Sequence, residues 1–589
     1  MERGSSSISH DPAAPRLWTQ RDAAVLLALL PASLLFVASL WTRAGWFDSH
    51  ESIHQLTRLF EMTEALRGGQ FPVRWSDNLM GGHGLPFFNF YAPFAFYLAG
   101  LFHLAGFSLE SAWKMEFVVA AWAGAAGMYG LVRGRAGRAA GGVAAMLFLF
   151  APYHALTLYV RGNAAEFTAL CVWPLAFWGV DAALRGGRWR RPALPAAALA
   201  IGALAFSHTV TAYIAAWNLV AWGAFVWWRE SRPAWRVRAP RLAAILAFTG
   251  LAGAAIAAFY ALPAVHDLRY CSTHVLYERT RFFDHYPTPI QLLLPHWGFG
   301  PSLPGPVDEM DFHLGIALWL GVAAAAVVLV LRRRSELAPW IAAGLAGTFV
   351  HVFLMLDVSR PVWGLLPGSA YLQFPWRLLI PAVFWACVAS GWALGAMLQG
   401  RAWTASRTAL AISCAVLPVL LGVWFCKPAR WIPEPPVYVA DRLRLAIIDT
   451  AEGEYLPRWV ADRPTVPSRR HLLGPGGEVL GEMIAFDSAR YEFEVRVPGN
   501  TTATFEHFHY PGWTAEADGQ PVAITPHDGT GFMEFPLAAG TAHVLVEFRG
   551  TALHRGTNVL SGLAVLGTLG WLLTAAIVAL WRRAHLRGE

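Results

Sequence analysis

Residues 46–91, WFDSHESIHQLTRLFEMTEALRGGQFPVRWSDNLMGGHGLPFFNFY, are the stretch that decides the fold. They follow a first hydrophobic span, and an acid, Asp48, stands where that span leaves the membrane. His50, His54 and Arg58 recur every four residues, which places them on one face of a helix. Apolar residues on the other faces predict an amphipathic helix that lies on the bilayer surface.

The second half of this stretch is rich in glycine, proline and aromatic residues, which excludes a regular helix. It also carries Arg74 and His83. Ordinary connections between elements are about 4–6 residues long, whereas the loop over 43–112 is many times longer and full of ionisable groups. We therefore expect this loop to form half of an active site.

The composition indicates a polytopic membrane protein. Of 589 residues, 56% are hydrophobic and 14% are charged, which excludes an ordinary soluble domain. The net charge of +7 is carried almost wholly by arginine, since the lysines are Lys114 and Lys427. These arginines stand in short clusters between apolar spans, so we expect positive-inside topology and no nucleic-acid partner. The cysteines show no metal-type spacing, and a disulfide between Cys271 and Cys426 stays open.

The basic clusters orient the spans. If the apolar segment 87–105 crossed the membrane, the run Arg133, Arg135 and Arg138 would fall outside. A re-entrant or interfacial helix at 87–105 instead places every later basic cluster, and both termini, on the cytoplasmic side. About twelve spans result: residues 22–41, 113–132, 139–155, 167–184, 193–207, 210–228, 242–262, 314–331, 338–356, 376–398, 408–425 and 557–581.

Three further segments of the membrane domain, residues 1–426, fall on the outer side. Their polar residues are Arg161 and Glu166 in 153–166, Asp284 and His285 in the loop 263–313, and Gln373, Trp376 and Arg377 in 357–377. After them, short alternating runs such as YEFEVRV and HVLVEF are separated by turns, which predicts an extracytoplasmic antiparallel β-sandwich over 427–556. A final helix and cytoplasmic tail, 557–589, tether that domain.

The placement of charge favours chemistry on a lipid. By this topology the spans carry almost no charge at mid-depth, where one charge costs about 2.5–3.5 kcal/mol or more. A transporter would instead need charges near the midplane. Arginines at the outer boundary would hold a lipid phosphate through charge-assisted bonds. A carboxylate would take the proton of an incoming hydroxyl.

An acid directly after the first span and two long outer loops resemble the GT-C glycosyltransferases. Asp48 with His50, the W…GGHGLPFFNFYAPFAFY segment, RGNAAE and LQFPWR also resemble one bacterial group of membrane proteins labelled "6-pyruvoyl-tetrahydropterin synthase-related". That label is not an activity, since nothing in the sequence resembles a soluble zinc-dependent pterin enzyme. The resemblance implies an all-α GT-C-like bundle with a β domain in the bacterial inner membrane.

The resemblance also implies a reaction. The donor would be a sugar on a polyprenyl phosphate, the acceptor a glycan, lipid or protein, and Asp48 the catalytic base with Glu51 beside it. The first loop has no adjacent acidic pair such as DD or DE, so a requirement for a divalent metal stays open. Donor-phosphate binding is assigned to Arg58, Arg74, Arg161 and Arg377. Substrate binding is assigned to His50, His54, His83, Glu166, Asp284, His285, Gln373 and Trp376.

Structural alternatives stay open for several of these residues. Asp48 is of a residue type that often caps a helix. Arg161 can form an ion pair with Glu166. Arg377 stands at the head of a span, where arginines commonly anchor a helix at the membrane interface. The histidines of the first loop are surface residues or metal ligands. Two other function classes also stay open. A lipid-linked saccharide transporter or flippase predicts a continuous polar path through the bundle, and a non-catalytic scaffold for envelope polysaccharide assembly predicts that Asp48 faces no cavity.

Overall fold

The computed structural model describes residues 19–43, 45–185, 190–272, 284–365, 368–399, 403–432 and 455–585. Its α-helices are α1 (Gln20–Val37), α2 (Ser52–Arg67), α3 (Leu79–Gly82), α4 (Phe87–Phe90), α5 (Phe94–Leu104), α6 (Leu109–Ala136), α7 (Arg138–Leu149), α8 (Pro152–Ala155), α9 (Ala164–Arg185), α10 (Arg190–Ala205), α11 (Thr209–Ser231), α12 (Trp235–Asp267), α13 (Pro289–Leu293), α14 (Ile316–Leu331), α15 (Ala338–Leu354), α16 (Arg360–Trp363), α17 (Leu379–Leu398), α18 (Ala405–Gly422) and α19 (Ala552–His585). Its strands are β1 (Trp46–Phe47), β2 (Trp431–Ile432), β3 (Leu472–Leu473), β4 (Val479–Asp487), β5 (Arg490–Val495), β6 (Thr501–Phe508), β7 (Trp513–Ala517), β8 (Gln520–Val522), β9 (Thr525–Pro526), β10 (Phe532–Leu537) and β11 (His543–Phe548).

The helices form a multi-pass bundle. By length and composition, eight helices in the described part of the chain are long and apolar enough to cross a membrane, or up to ten if each of two bent pairs is one span. Two further predicted spans correspond to α10 and α14, which have 16 residues each and are shorter than the roughly 20 residues that a bilayer requires. The multi-pass prediction is confirmed, and the count of twelve stays a prediction. Helix α17 is buried along almost its whole length and forms the centre of the bundle.

One end of the bundle collects the basic residues, and we call it the basic end. Asp22, at the start of α1, accepts from Arg133 at 2.8 Å and pairs with Arg138 at 3.2 Å. Arg135 pairs with Asp181, near the end of α9, at 2.6 Å. The α6–α7 junction therefore lies at the end where α1 begins. Helix α5, with 11 residues, spans about 16 Å, which is shorter than the bilayer core of about 30 Å. The re-entrant or interfacial helix at 87–105 stays a prediction.

The first loop lies at the opposite end, which we call the loop end. Its helix α2 is present as predicted, but it does not lie on a surface. Polar side chains of this helix are as buried as the apolar ones, with exposures of 0% for Gln55, 7% for Arg58 and 3% for Glu61. The reason is that the following segment covers the polar face, for example where the Asn78 amide donates to Glu61 Oε2 at 3.1 Å.

The C-terminal strands form one continuous antiparallel sheet of nine strands in the order β8-β7-β11-β5-β4-β3-β6-β10-β9. The predicted antiparallel β domain is confirmed, but it has one sheet where a sandwich has two. The sheet curls. Two strands lie between β5 and β6, so a flat sheet with about 4.8 Å between neighbouring strands would keep these two strands well apart. The rings of Tyr491 on β5 and Phe505 on β6 are nevertheless 4.9 Å apart. Alternating buried residues line the inside of the curl.

The sheet docks on the second half of the first loop. Asp77 accepts from Tyr491 Oη at 2.8 Å and from the Ala489 amide at 2.9 Å. The Trp75 indole donates to His507 at 3.2 Å. Gly84 has a φ of +77°, and a Cβ there would stand 2.6 Å from His507 Nε2. Only glycine therefore allows this close approach of loop and sheet.

Of the cysteines, Cys271 and Cys426 are both buried thiols that form no disulfide. In α6, Glu116 is fully buried and accepts a hydrogen bond from Thr168. This carboxylate stands seven residues, or about 10 Å, into a helix that is a candidate span. It is an exception to the prediction that the spans carry almost no charge at depth.

Candidate active site

Two short backbone contacts bring the outer loops together at the loop end. The His50 amide donates to Val160 O at 3.1 Å, and the Glu51 amide donates to Arg161 O at 3.2 Å. Gly162 follows with a φ of +63°, and a Cβ there would stand 2.0 Å from Ser49 Oγ. The RGN turn therefore lies directly against the start of the first loop, because glycine leaves room for it.

Three arginines from three separate segments meet at this junction, and we call Arg58, Arg161 and Arg377 the arginine cluster. Their side chains are 8%, 8% and 7% exposed. Two carboxylates join them. Arg58 Nη1 lies 3.1 Å from Glu51 Oε2, and Arg161 Nη1 lies 2.6 Å from Glu166 Oε1. Arg377 Nε lies 3.9 Å from Glu166 Oε2.

Glu51 holds one side of the cluster in place. Its Oε2 accepts from Gln55 at 2.7 Å and from Arg58 at 3.1 Å. Its Oε1 accepts from Asn163 at 2.9 Å. Both carboxylate oxygens are thus occupied by donors, which favours a structural part for Glu51 in orienting Arg58.

Glu166 holds the other side and is fully buried. Its Oε1 accepts from Tyr153 Oη at 2.6 Å, beside the Arg161 contact. Arg377 is anchored separately, since its Nη1 donates to Leu372 O at 3.0 Å and to Gln373 Oε1 at 2.6 Å. Gln373 has a φ of +62°, a conformation that costs a non-glycine residue of order 1 kcal/mol or more and that turns its amide towards Arg377.

Aromatic rings line the cluster. The Arg58 guanidinium lies 4.5 Å from the Tyr91 ring centroid and 5.1 Å from that of Phe87. The Arg161 guanidinium lies 4.9 Å from the Trp376 ring. Such contacts favour a buried cation. Burial lowers the pKa of Arg58, but Tyr91 and Glu51 raise it by more, so that the pKa lies above its ordinary value and Arg58 is charged.

The cluster has an excess of positive charge. His208 lies close enough to interact electrostatically with Glu166 and Arg377, and burial lowers its pKa to about 4, so it is neutral at pH 7. Three guanidiniums therefore face two carboxylates. In addition, Arg377 Nε and Glu166 Oε2 are buried and have no hydrogen-bond partner among the described residues. A buried cation with an unused donor is the natural receptor for an anion.

Asp48 lies beside the cluster but outside it. Its Oδ2 accepts from Arg430 Nη2 at 2.5 Å and Nε at 3.0 Å, and its amide donates to Arg430 O at 3.0 Å. The Asp48 side chain is 34% exposed and that of Arg430 is 80% exposed. Its Oδ1 receives no hydrogen bond from the part of the chain that the structure describes. Because Asp48 is three residues from Glu51, their Cα atoms are at most about 10 Å apart.

The predicted substrate-binding residues divide into two groups. His285 Nδ1 contacts Ser302 Oγ at 3.0 Å, and the Trp376 indole donates to the same Oγ at 3.2 Å, so the second outer loop reaches the ring beneath Arg161. His50, which is exposed, contacts Phe299 O at 3.0 Å through Nε2. His54 and Asp284 are half-buried.

Arg74 and His83 are not brought to the cluster. Arg74 donates to Asn89 Oδ1 at 2.8 Å, Phe259 O at 2.6 Å and Asn558 Oδ1 at 2.8 Å. His83 contacts backbone oxygens of the sheet side of the chain at 2.8 and 3.0 Å. Arg74 therefore joins the first loop to α12 and α19, and His83 joins it to the sheet side of the chain. These contacts give both residues a structural part.

Four residues that sequence reasoning did not assign complete the cluster: Gln55, Tyr91, Tyr153 and Asn163. Asn163 stands inside the quoted RGNAAE motif, and Gln55 stands four residues after Glu51, so two of the four carried a local signal. Among the described residues, no group of three or more His, Cys, Asp or Glu side chains is placed to hold a metal ion.

No protein-family model matches the sequence, and no curated protein sequence matches it. The resemblance to the bacterial group therefore stays a prediction. Among solved structures, the chain is similar to the archaeal oligosaccharyltransferase AglB from Archaeoglobus fulgidus, in complex with an inhibitory peptide and a dolichol-phosphate, with 14% identity, a TM-score of 0.40, and coverage of 75% of this chain and 61% of that chain. It is also similar to the arabinosyltransferase EmbB from Mycobacterium smegmatis, with 12% identity, a TM-score of 0.32, and coverage of 94% and 66%. The chain spans less than two thirds of the length of either structure.

Proposed function

We propose that the chain is a GT-C-like glycosyltransferase that moves a sugar from a polyprenyl-phosphate donor to an acceptor glycan, lipid or protein. The observation that carries this proposal is the convergence of Arg58, Arg161 and Arg377 at the loop end. By the positive-inside rule the basic end is cytoplasmic, so the cluster would face the outer side of a bacterial inner membrane. There it can bind a phosphate whose lipid tail stays in the bilayer.

The charge of the cluster suits the phosphate of such a donor. Buried cations are unfavourable without a counter-ion, and the cluster carries one positive charge more than its own carboxylates neutralise. A phosphodiester supplies that charge, and it also supplies acceptors for the unused Arg377 Nε. Guanidinium forks bind phosphate oxygens in pairs. As the bond to the sugar breaks, the same groups would stabilise the growing charge on the leaving phosphate.

Asp48 is the better candidate for the base. A base needs a free oxygen and access to the acceptor, and Asp48 Oδ1 has both, whereas both oxygens of Glu51 are occupied. The acceptor hydroxyl attacks the anomeric carbon, its proton passes to Asp48, and the carbon–oxygen bond to the phosphate breaks. A single displacement of this kind inverts the configuration of the anomeric carbon.

The sheet would contribute to the site indirectly, by holding in place the aromatic residues that line the arginine cluster. Phe87, which contacts Arg58, also packs against Tyr455 at a ring separation of 5.8 Å, and Phe90 stacks on Tyr455 at 5.4 Å. The segment that the sheet holds at Asp77 and His83 thus continues into the aromatic wall of the cluster. We infer that docking of the sheet fixes this wall.

The test is glycosyl transfer by purified, folded Asp48→Asn protein, with Glu51→Gln alongside. Asn caps a helix as well as Asp but does not accept the proton, so the expected loss is about 10²–10⁴-fold in rate with donor binding retained. Glu51→Gln should weaken donor binding, because Arg58 loses its partner. Near-normal transfer by both variants would remove the first loop from the chemistry and favour the transporter or scaffold alternatives.

A further inference from the structure

The strand β4 has one edge that is only half used. It pairs with β5 from Gly481↔Val495 to Asp487↔Arg490, with a bulge between Met483 and Ala485. On the other edge, β3 pairs with β4 only at Val479 and Gly481. Beyond Gly481, no strand in the described part of the chain pairs with this edge.

The free edge carries a run of exposed apolar side chains over 483–486 between two exposed acidic residues, Glu482 and Asp487. Met483 is 38% exposed, Ile484 is 55% exposed and Phe486 is 43% exposed. Natural sheets usually protect an edge with charge, proline or a covering element. Here the charges stand only at the two ends of the free edge, and the exposed apolar run between them marks an interaction surface.

The free edge ends at an acidic cavity of about 290 Å³, which is lined by Phe486 and Asp487 of β4 on one side and by α2 and the first loop on the other. Its carboxylates are Glu61, Glu64, Asp77 and Asp487. Two guanidiniums oppose them. Arg67 pairs with Glu64 at 2.8 Å, and Arg470 lies 4.7 Å from the Phe486 ring. Even without Glu61, three carboxylates face two guanidiniums, and the cavity favours a positively charged group.

We propose that the free edge of β4 binds an extended, basic segment of a partner polypeptide. The segment would add a strand to the sheet by hydrogen bonds to residues 482–487. Its apolar side chains would cover Met483 and Ile484, and a lysine or arginine would enter the cavity beside Asp487. None of Arg58, Arg161 and Arg377 lines this cavity, so the proposal does not depend on the proposed glycosyl transfer.

The probe is a fluorescent decapeptide of alternating valine and threonine with one central lysine. Its binding to the purified full-length protein in detergent is followed by anisotropy. Ile484→Lys places on the free edge a positive charge that repels the lysine of the peptide, and we expect it to weaken peptide binding by at least about tenfold. Val479→Lys is the matched control, because Val479 is 53% exposed on the same strand but stands where β3 already occupies the edge.

A second peptide with norleucine in place of lysine tests the acidic cavity. We expect it to bind about fivefold or more weakly than the lysine peptide, and Asp487→Asn should narrow that difference. Equal losses in Ile484→Lys and Val479→Lys, or no preference for lysine, would overturn the proposal. So would a protein that is a dimer in detergent and that Ile484→Lys converts to a monomer, because the edge would then belong to a second copy.

Discussion

Replacement of Arg377 by alanine tests the arginine cluster most directly. Arg377 is anchored by Leu372 O and Gln373 Oε1 through Nη1 alone, which leaves the rest of its fork for a ligand. Glu166 keeps Arg161 and Tyr153, each at 2.6 Å, so Arg377→Ala does not leave a buried carboxylate without partners. The variant should therefore fold.

The expected loss of affinity follows from the bond that is removed. A hydrogen bond to a charged group contributes about 1.5–3 kcal/mol, and 1.4 kcal/mol corresponds to a factor of ten. Arg377→Ala should then weaken binding of a polyprenyl phosphate by about 10- to 150-fold for each bond lost. Arg377→Lys should recover little of this, because an ammonium group cannot replace a planar fork that also donates to Leu372 O.

The assay is equilibrium binding of a labelled polyprenyl phosphate to purified protein in detergent. Arg360→Ala is the control, since Arg360 is another arginine of the same outer segment but is 54% exposed and pairs with Asp357. Its loss should leave affinity nearly unchanged. Arg161→Ala is less suitable, because breaking its pair with fully buried Glu166 costs about 3–5 kcal/mol of stability. Unchanged affinity in Arg377→Ala would refute the assignment of the cluster to phosphate.

Three further predictions concern topology, pH and the docking of the sheet. A cysteine that replaces Arg333 should resist an impermeant thiol reagent in intact cells, and a cysteine that replaces Gly519 should react. Labelling at position 333 would contradict the predicted orientation of the chain in the membrane. Burial raises the pKa of Glu61 to about 7, so folding stability should fall as pH rises from about 4.5 to 7 and stay low above that. Glu61→Gln should then raise the free energy of unfolding at pH 8 more than at pH 5, by up to about 3 kcal/mol, whereas Glu64→Gln on the exposed side should show no such pH dependence. Asp77→Ala should leave buried donors of the sheet unpaired at about 1–3 kcal/mol each and expose the junction to proteolysis; unchanged protease resistance would contradict this contact.

Some features of this protein could be read from neighbouring residues alone. Apolar runs predict spans, alternation predicts strands, and the four-residue spacing of His50, His54 and Arg58 predicts α2, since each pattern depends on local backbone geometry. The basic clusters also predicted that the start of the first span and Arg133 share one end of the bundle, and Arg133 donates to Asp22 at 2.8 Å. The RGNAAE and LQFPWR motifs contain Arg161 and Arg377, both of which reach the cluster.

What the local pattern did not contain is which distant residues meet. Arg58 and Arg74 are similar arginines of one loop, yet Arg58 joins the cluster and Arg74 bonds to α4, α12 and α19, because different elements pack against the two halves of that loop. Asp48 was assigned from its place after the first span, but its partner Arg430 stands 382 positions away. Likewise, alternation predicts strands, whereas the curl that makes one sheet of nine depends on how their buried faces pack. Local periodicity therefore determined the helices and strands of this protein. Tertiary packing decided which charged side chains are buried together, and it left the arginine cluster with one cation that no carboxylate neutralises.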